Sequence, residues 1–229
     1  MQAIFWRLLA AHLFVDFPLR NHRQLYNITE GKKFFLHIVF VILLNLAVFG
    51  EAAFYRPVLF LMIFLVVFAH AVLDTVLLRK PKDNARSEGM SFFLFQFIMI
   101  AFLMVLAWIF SRGRRYGYTL PFLQFSLAII AIWVAPTIIH IVKRMRANAP
   151  EIGLFEEPFG KLAVLERALL FVAISFGKTT FLIAGVVIAV IIRGLLILNE
   201  ENVPKPIVEW AVAIAAGLLG RYLIFGKIF

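Results

Sequence analysis

The stretch PVLFLMIFLVVFAHAVLDTVLL, Pro57–Leu78, is an apolar run in which His70 and Asp74 are the only ionisable residues. About 20 mostly apolar residues cross the hydrocarbon core of a bilayer as an α-helix. The run is continuous, whereas a membrane β-strand would alternate apolar and polar positions. The segment therefore predicts a membrane-spanning helix.

Outward from it the pattern repeats. Comparable runs lie at Ala3–Leu19, Lys33–Phe49, Ser91–Phe110, Thr119–Val142, Leu162–Gly177, Thr180–Leu198 and Ile207–Phe225. The first, second and sixth are short enough to be tilted, interfacial or re-entrant. The expectation is an all-α, polytopic transmembrane helix bundle with six to eight membrane-embedded helices. The chain, 1–229, reads as a single integral membrane domain with a motif-bearing half at 1–80 and the remaining helices over 91–229. No connection is long enough for a soluble domain.

Composition agrees. Hydrophobic residues make up 63% of the 229-residue chain, against about 45–50% in an average soluble domain. Charged residues make up 16%, too few for intrinsic disorder. The net charge of +10 would suggest nucleic acid in a soluble protein. Here the cations sit between apolar runs, where they act as topology signals and lipid-headgroup contacts, so no nucleic acid is expected. The chain has no cysteine, which excludes disulfides, thiolate metal sites and cysteine nucleophiles. Arg7, His12 and Asp16 interrupt the first run, so it reads as a retained segment and not a cleaved signal peptide. Trp6, Trp108, Trp133 and Trp210 lie toward span ends, as interfacial aromatics do.

The connections 20–33, 79–89 and 143–161 each carry four Lys+Arg, which places them in the cytoplasm and both termini outside. Arg112, Arg114 and Arg115 count against that orientation.

An ionisable group near the bilayer centre costs about 2.5–3.5 kcal/mol on insertion scales, so those within spans are functional candidates. Two spans share one motif: His12-x-x-x-Asp16 followed by Arg20, and His70-x-x-x-Asp74 followed by Arg79. Positions i and i+4 share a helix face, so each motif presents an imidazole beside a carboxylate. The expected topology puts His12, His37, His70 and His140 at one depth, near the cytoplasmic side. Glu166, Arg167, Arg193 and Glu209 form a further polar set toward that side. Glu166 and Arg167 suit either an internal ion pair or headgroup contact, the first being slightly favoured.

Imidazole and carboxylate together suit a divalent ion. In that reading His12, His37 and His70 are metal ligands, with zinc as the favoured ion. Asp16 or Asp74 is then either a fourth ligand or the catalytic base that activates bound water. The alternative pairs Asp16 with Arg20 and Asp74 with Arg79, leaving the histidines to bridge helices or carry protons. Gly177-Lys178-Thr179-Thr180 echoes a phosphate loop but lacks the upstream glycine and strand, so no nucleotide or organic cofactor is indicated. Gly185, Gly194, Gly217 and Gly220 are places where helices can approach closely.

The run Leu8-Leu-Ala-Ala-His12-Leu-Phe-Val-Asp16-Phe17-Pro18-Leu19-Arg20, then His37, then His70-Ala-Val-Leu-Asp74, resembles a bacterial family of small membrane proteins catalogued as domain of unknown function 3307. That family shows His-x-x-x-Asp-Phe-x-Leu-Gln, an early histidine in the next helix, and a second His-x-x-x-Asp followed by Lys. This chain has Arg20 in place of Gln, and Arg79-Lys80 is displaced from the usual Lys. The likeness spans Leu8–Lys80 and continues more loosely through Glu166-Arg167, Ile192-Arg193 and Glu209 with Gly217. It implies a multi-pass protein of a bacterial inner membrane and supplies no activity.

The leading functional expectation is a metal-dependent hydrolase acting on a lipid or other amphiphile. The competing class is a transporter, ion-coupled carrier or scaffold that uses the same His/Asp pairs for proton transfer or packing. The bilayer is the expected partner, and association with a second copy stays open.

Overall fold

A computed structural model of the chain describes residues 1–19, 31–50, 52–78, 84–111, 119–147, 161–176, 179–199 and 207–226. Every regular element among them is helical. The helices are α1 (Gln2–Phe14), α2 (Gly31–Phe49), α3 (Ala52–Tyr55), α4 (Pro57–Leu73) and α5 (Ala85–Phe110). They continue with α6 (Leu120–Ile129), α7 (Ala135–Ala147), α8 (Lys161–Phe176), α9 (Thr179–Asn199) and α10 (Ile207–Phe225). Five described helical segments are long and apolar enough to cross a membrane: Gly31–Phe49, Pro57–Leu78, Ala85–Phe110, Leu120–Ala147 and Val208–Phe225. A shorter apolar stretch lies at Ile183–Gly194. The protein is thus an all-α, multi-pass membrane bundle.

Local chemistry sets the helix ends. Pro57 opens α4 after the extended Arg56, where its missing N–H has no helical partner to lose. The Asn84 side chain accepts the Ser87 N–H at 2.8 Å, a cap that starts α5 six residues before the apolar run begins. Gly50 closes α2 with φ +55°, a left-handed turn that glycine adopts without strain, and its N–H reaches the Leu46 carbonyl at 2.8 Å. The short α3 follows and had no counterpart in the apolar runs.

Three helices widen into a π turn: Val15–Leu19 extends α1, Asp74–Leu78 extends α4, and Ile130–Val134 joins α6 to α7. Two of these have a proline at hand, Pro18 inside the first turn and Pro136 just beyond the third. A proline removes a backbone donor and crowds the preceding turn, and a wider turn accommodates both effects.

The chain divides into two compact units. The first contains Met1–Leu123 and Ile139–Pro158. In it α1 packs on α2 and α5, while α4 packs on α5 and α2, closing a ring of four helices. The apolar core draws Ile4 and Leu8 from α1, Leu59 and Met62 from α4, and Phe95, Met99 and Leu103 from α5. The α2 helix turns His37, Val41, Asn45 and Phe49 inward, a strict four-residue stripe. Phe35, Phe60, Phe64, Phe97 and Trp108 are exposed, as suits lipid. The Arg7 guanidinium donates to the Val48 carbonyl at 2.9 Å and lies over the Phe122 ring, 4.6 Å from its centroid.

The second unit contains Gln124–Ile138 and Phe159–Phe229. Here α8 packs on α9 and α10, and the π turn at Ile130–Val134 packs on α8 and α10. Close approach depends on small residues: a Cβ at Gly185 would fall on the Ala173 methyl, and one at Gly217 would meet Ile174. Gly220 lies against Gln124 and Ser175, and its carbonyl accepts the Gln124 amide at 2.7 Å. Gly194, expected in the same role, faces open space, because it lies on the outward side of α9.

Candidate metal centre

The two His-x-x-x-Asp motifs meet inside the first unit. Each histidine stands in the last turn of its α-helix, and each aspartate stands at the start of the π turn that follows. His37, on the first turns of α2, completes the group. His12, Asp16, His37, His70 and Asp74 are all 3% exposed or less. Lipid cannot solvate such groups, so they turn inward and satisfy one another.

Four donor atoms converge. His37 Nε2 and His70 Nε2 are 3.0 Å apart, and Asp74 Oδ2 lies 3.2 Å from the first and 3.3 Å from the second. Asp16 Oδ1 is 3.3 Å from His70 Nε2 and 3.9 Å from His37 Nε2. Two imidazole nitrogens at 3.0 Å need a proton or a cation between them, because their lone pairs repel. Around a tetrahedral ion with bonds of about 2.0–2.2 Å, neighbouring donors are separated by about 3.3–3.6 Å. The His37, His70 and Asp74 separations lie at or just below that spacing, and the Asp16–His37 separation lies above it.

His12 is part of the same assembly by a different route. Its Nε2 is 3.0 Å from Gln96 Oε1, and the Gln96 amide nitrogen donates to Asp16 Oδ2 at 2.8 Å. His12 Nδ1 lies 3.6 Å from the same carboxylate oxygen. Two trios of buried side chains therefore have ligand atoms within 4.8 Å of one another: His12, Asp16 and His70, and His37, His70 and Asp74. These groups can hold a metal ion. Phe95 walls the assembly, with ring centroids 5.3 Å from His70 and 6.1 Å from His12. The sequence reading missed Gln96; the available signal was a lone amide in the otherwise apolar run of α5. Arg20, Arg79 and Lys80, the cations that would pair with these aspartates in the alternative reading, lie outside the described residues.

The second unit holds the other expected polar set. Arg193 grips Glu166 with two nitrogens, Nε to Oε1 at 3.0 Å and Nη2 to Oε2 at 2.8 Å, and the Trp210 indole N–H also donates to Glu166 Oε1. Arg167 donates from Nη1 to Glu209 at 2.7 Å and from Nε to the Ile132 carbonyl at 3.0 Å. Pro136 has no N–H to offer the carbonyl four residues back, so Arg167 supplies that bond. Glu166 and Arg167 are both buried, but not as the expected ion pair: each pairs with another helix, because adjacent residues on a helix do not face each other. His140 sits half-buried on α7 and belongs to neither metal-capable trio.

No family model, curated protein or solved structure matches the chain.

Proposed function

We propose that the protein is a membrane-embedded divalent-metal protein, with zinc the favoured ion, that hydrolyses a bond in a lipid or other amphiphile. The observation that carries this reading is the trio of buried donors His37 Nε2, His70 Nε2 and Asp74 Oδ2, mutually 3.0–3.3 Å apart. Two imidazoles and one carboxylate form a ligand set that leaves a fourth position for water or substrate. Asp16 Oδ1, 3.3 Å from His70 and 3.9 Å from His37, would be the carboxylate that takes a proton from that water. A bound divalent ion would polarise the scissile carbonyl or phosphoryl group and acidify the attacking water. Its charge also cancels those of two carboxylates that are 0% exposed. Membrane burial limits substrates to molecules that partition into the bilayer. The resemblance of Leu8–Lys80 to a bacterial inner-membrane family suits this location.

Near-complete burial favours a second reading, in which Asp16 closes the coordination shell and the ion is carried or purely structural. The test is metal analysis of purified protein with titration of zinc or cobalt, beside turnover of phospholipid and fluorogenic acyl-ester substrates in mixed micelles. The proposal expects one ion per chain, affinity cut at least about 100-fold in Asp74→Asn, and turnover lost in Asp16→Asn with the ion retained. Stoichiometric metal without turnover would establish the closed, non-catalytic site. No bound metal would end both readings.

A further inference from the structure

The metal-capable residues come from two copies of one arrangement. The first copy is α1 with its His12-x-x-x-Asp16 motif followed by α2; the second is α4 with its His70-x-x-x-Asp74 motif followed by α5. From Asp16 to His37 is 21 residues, and from Asp74 to Gln96 it is 22. Each motif straddles the passage from α-helix to π turn. The ring of contacts maps onto itself when α1 exchanges with α4 and α2 with α5.

The polar contacts obey the same exchange, and they cross between copies. His37 of the first copy reaches His70 at 3.0 Å and Asp74 at 3.2 Å in the second. Gln96 of the second copy reaches His12 at 3.0 Å and Asp16 at 2.8 Å in the first. The intramotif distances correspond as well, 3.3 Å for His70–Asp74 and 3.6 Å for His12–Asp16.

We infer that the centre is a pseudo-twofold pair of half-sites, that the ion belongs to the His37–His70–Asp74 half, and that Gln96 makes the other half refuse it. An imidazole can give a metal its lone pair. The Gln96 amide instead spends its oxygen on His12 Nε2 and its N–H on Asp16 Oδ2, occupying one atom of each group. Gln96 is therefore a positioning residue. By fixing Asp16 Oδ2 it leaves Oδ1 aimed across the pseudo-axis, 3.3 Å from His70. One half of the duplication binds the ion and the other holds the facing carboxylate. Assigning the ion to one half rests on the metal-binding reading; the duplication does not.

The experiment exchanges the two residues. Wild type, His37→Gln, Gln96→His and the double exchange His37→Gln/Gln96→His are purified in detergent and titrated with zinc and cobalt. His37→Gln is expected to weaken binding at least tenfold, and the double exchange to recover to within about tenfold of wild type. A double exchange that binds no better than His37→Gln overturns the inference. Chelator-treated samples provide a metal-free arm. If the halves are equivalent, an amide at position 37 fits as Gln96 does, so His37→Gln melts close to wild type. His37→Leu removes a polar contact from both His70 and Asp74 and melts lower. Equal losses in those two variants overturn the duplication. A wild type that takes up no ion overturns the metal reading and the assignment of the ion to one half, while the melting arm still decides the duplication.

Discussion

Removing Arg193 from beneath Glu166 separates a structural from a catalytic role for the second polar set. Glu166 is 0% exposed and Arg193 6%, and they meet through two contacts of 2.8–3.0 Å. Arg193→Leu leaves the buried Glu166 carboxylate with the Trp210 N–H but without its ion-pair partner, at a cost of about 3–5 kcal/mol. Glu166→Leu costs more, because it takes the carboxylate from the Arg193 guanidinium and also from the Trp210 N–H, the latter adding about 1–3 kcal/mol. The double variant replaces both charges with apolar groups, a change that is commonly neutral or stabilising, and it keeps only the Trp210 penalty. At about 2–4 °C per kcal/mol for a chain of this size, Arg193→Leu lowers the melting temperature by about 6–20 °C. Glu166→Leu falls further, and the double variant lies above both. Circular dichroism of detergent-solubilised protein measures the unfolding. Single variants within about 2 °C of wild type, or a double variant whose loss equals the sum of the singles, would refute the reasoning.

Three more outcomes follow from the same structure. Metal affinity should rise with pH, because imidazole and carboxylate bind the ion only after losing their protons; a titration with equal affinity at pH 5.5 and pH 8 would exclude the His/Asp ligand set. Gly185→Ala should destabilise the packing of α8 on α9 by about 1–3 kcal/mol, seen as a lower melting temperature, whereas Gly194→Ala, facing open space, should not. Cysteine reporters, convenient in a chain without cysteine, should be shielded from an impermeant external reagent near Asp83 and labelled near Glu51; the reverse pattern would invert the orientation.

The apolar runs located the helices because membrane solvation leaves so few alternatives. The His-x-x-x-Asp pairs were legible for the same reason: a costly residue type at helical spacing announces a shared inward face. Gln96 was not, since an amide carries no charge and its significance appears only when α5 meets α1. Helix spacing excludes a pair between adjacent Glu166 and Arg167, but the sequence could not say that their partners are Arg193 and Glu209. Helix periodicity fixes which face a residue occupies but not which neighbour packs against that face. The π turns were not read from the sequence either: prolines accompany two of them, and none marks the one after His70.

These wide turns determine which changes of length the centre can survive. Within an ordinary spanning helix, gaining or losing a residue rotates everything beyond it by about 100° and swings lipid-facing side chains into the interior. A π turn already carries one residue more than the α-helical repeat requires. At Val15–Leu19 and Asp74–Leu78 that surplus lies immediately downstream of each histidine, in the turn that carries the aspartate and leads into the connection that follows. Insertions and deletions in those connections can be absorbed there as a change of pitch, so the loops are free to diverge while the imidazoles upstream keep their phase.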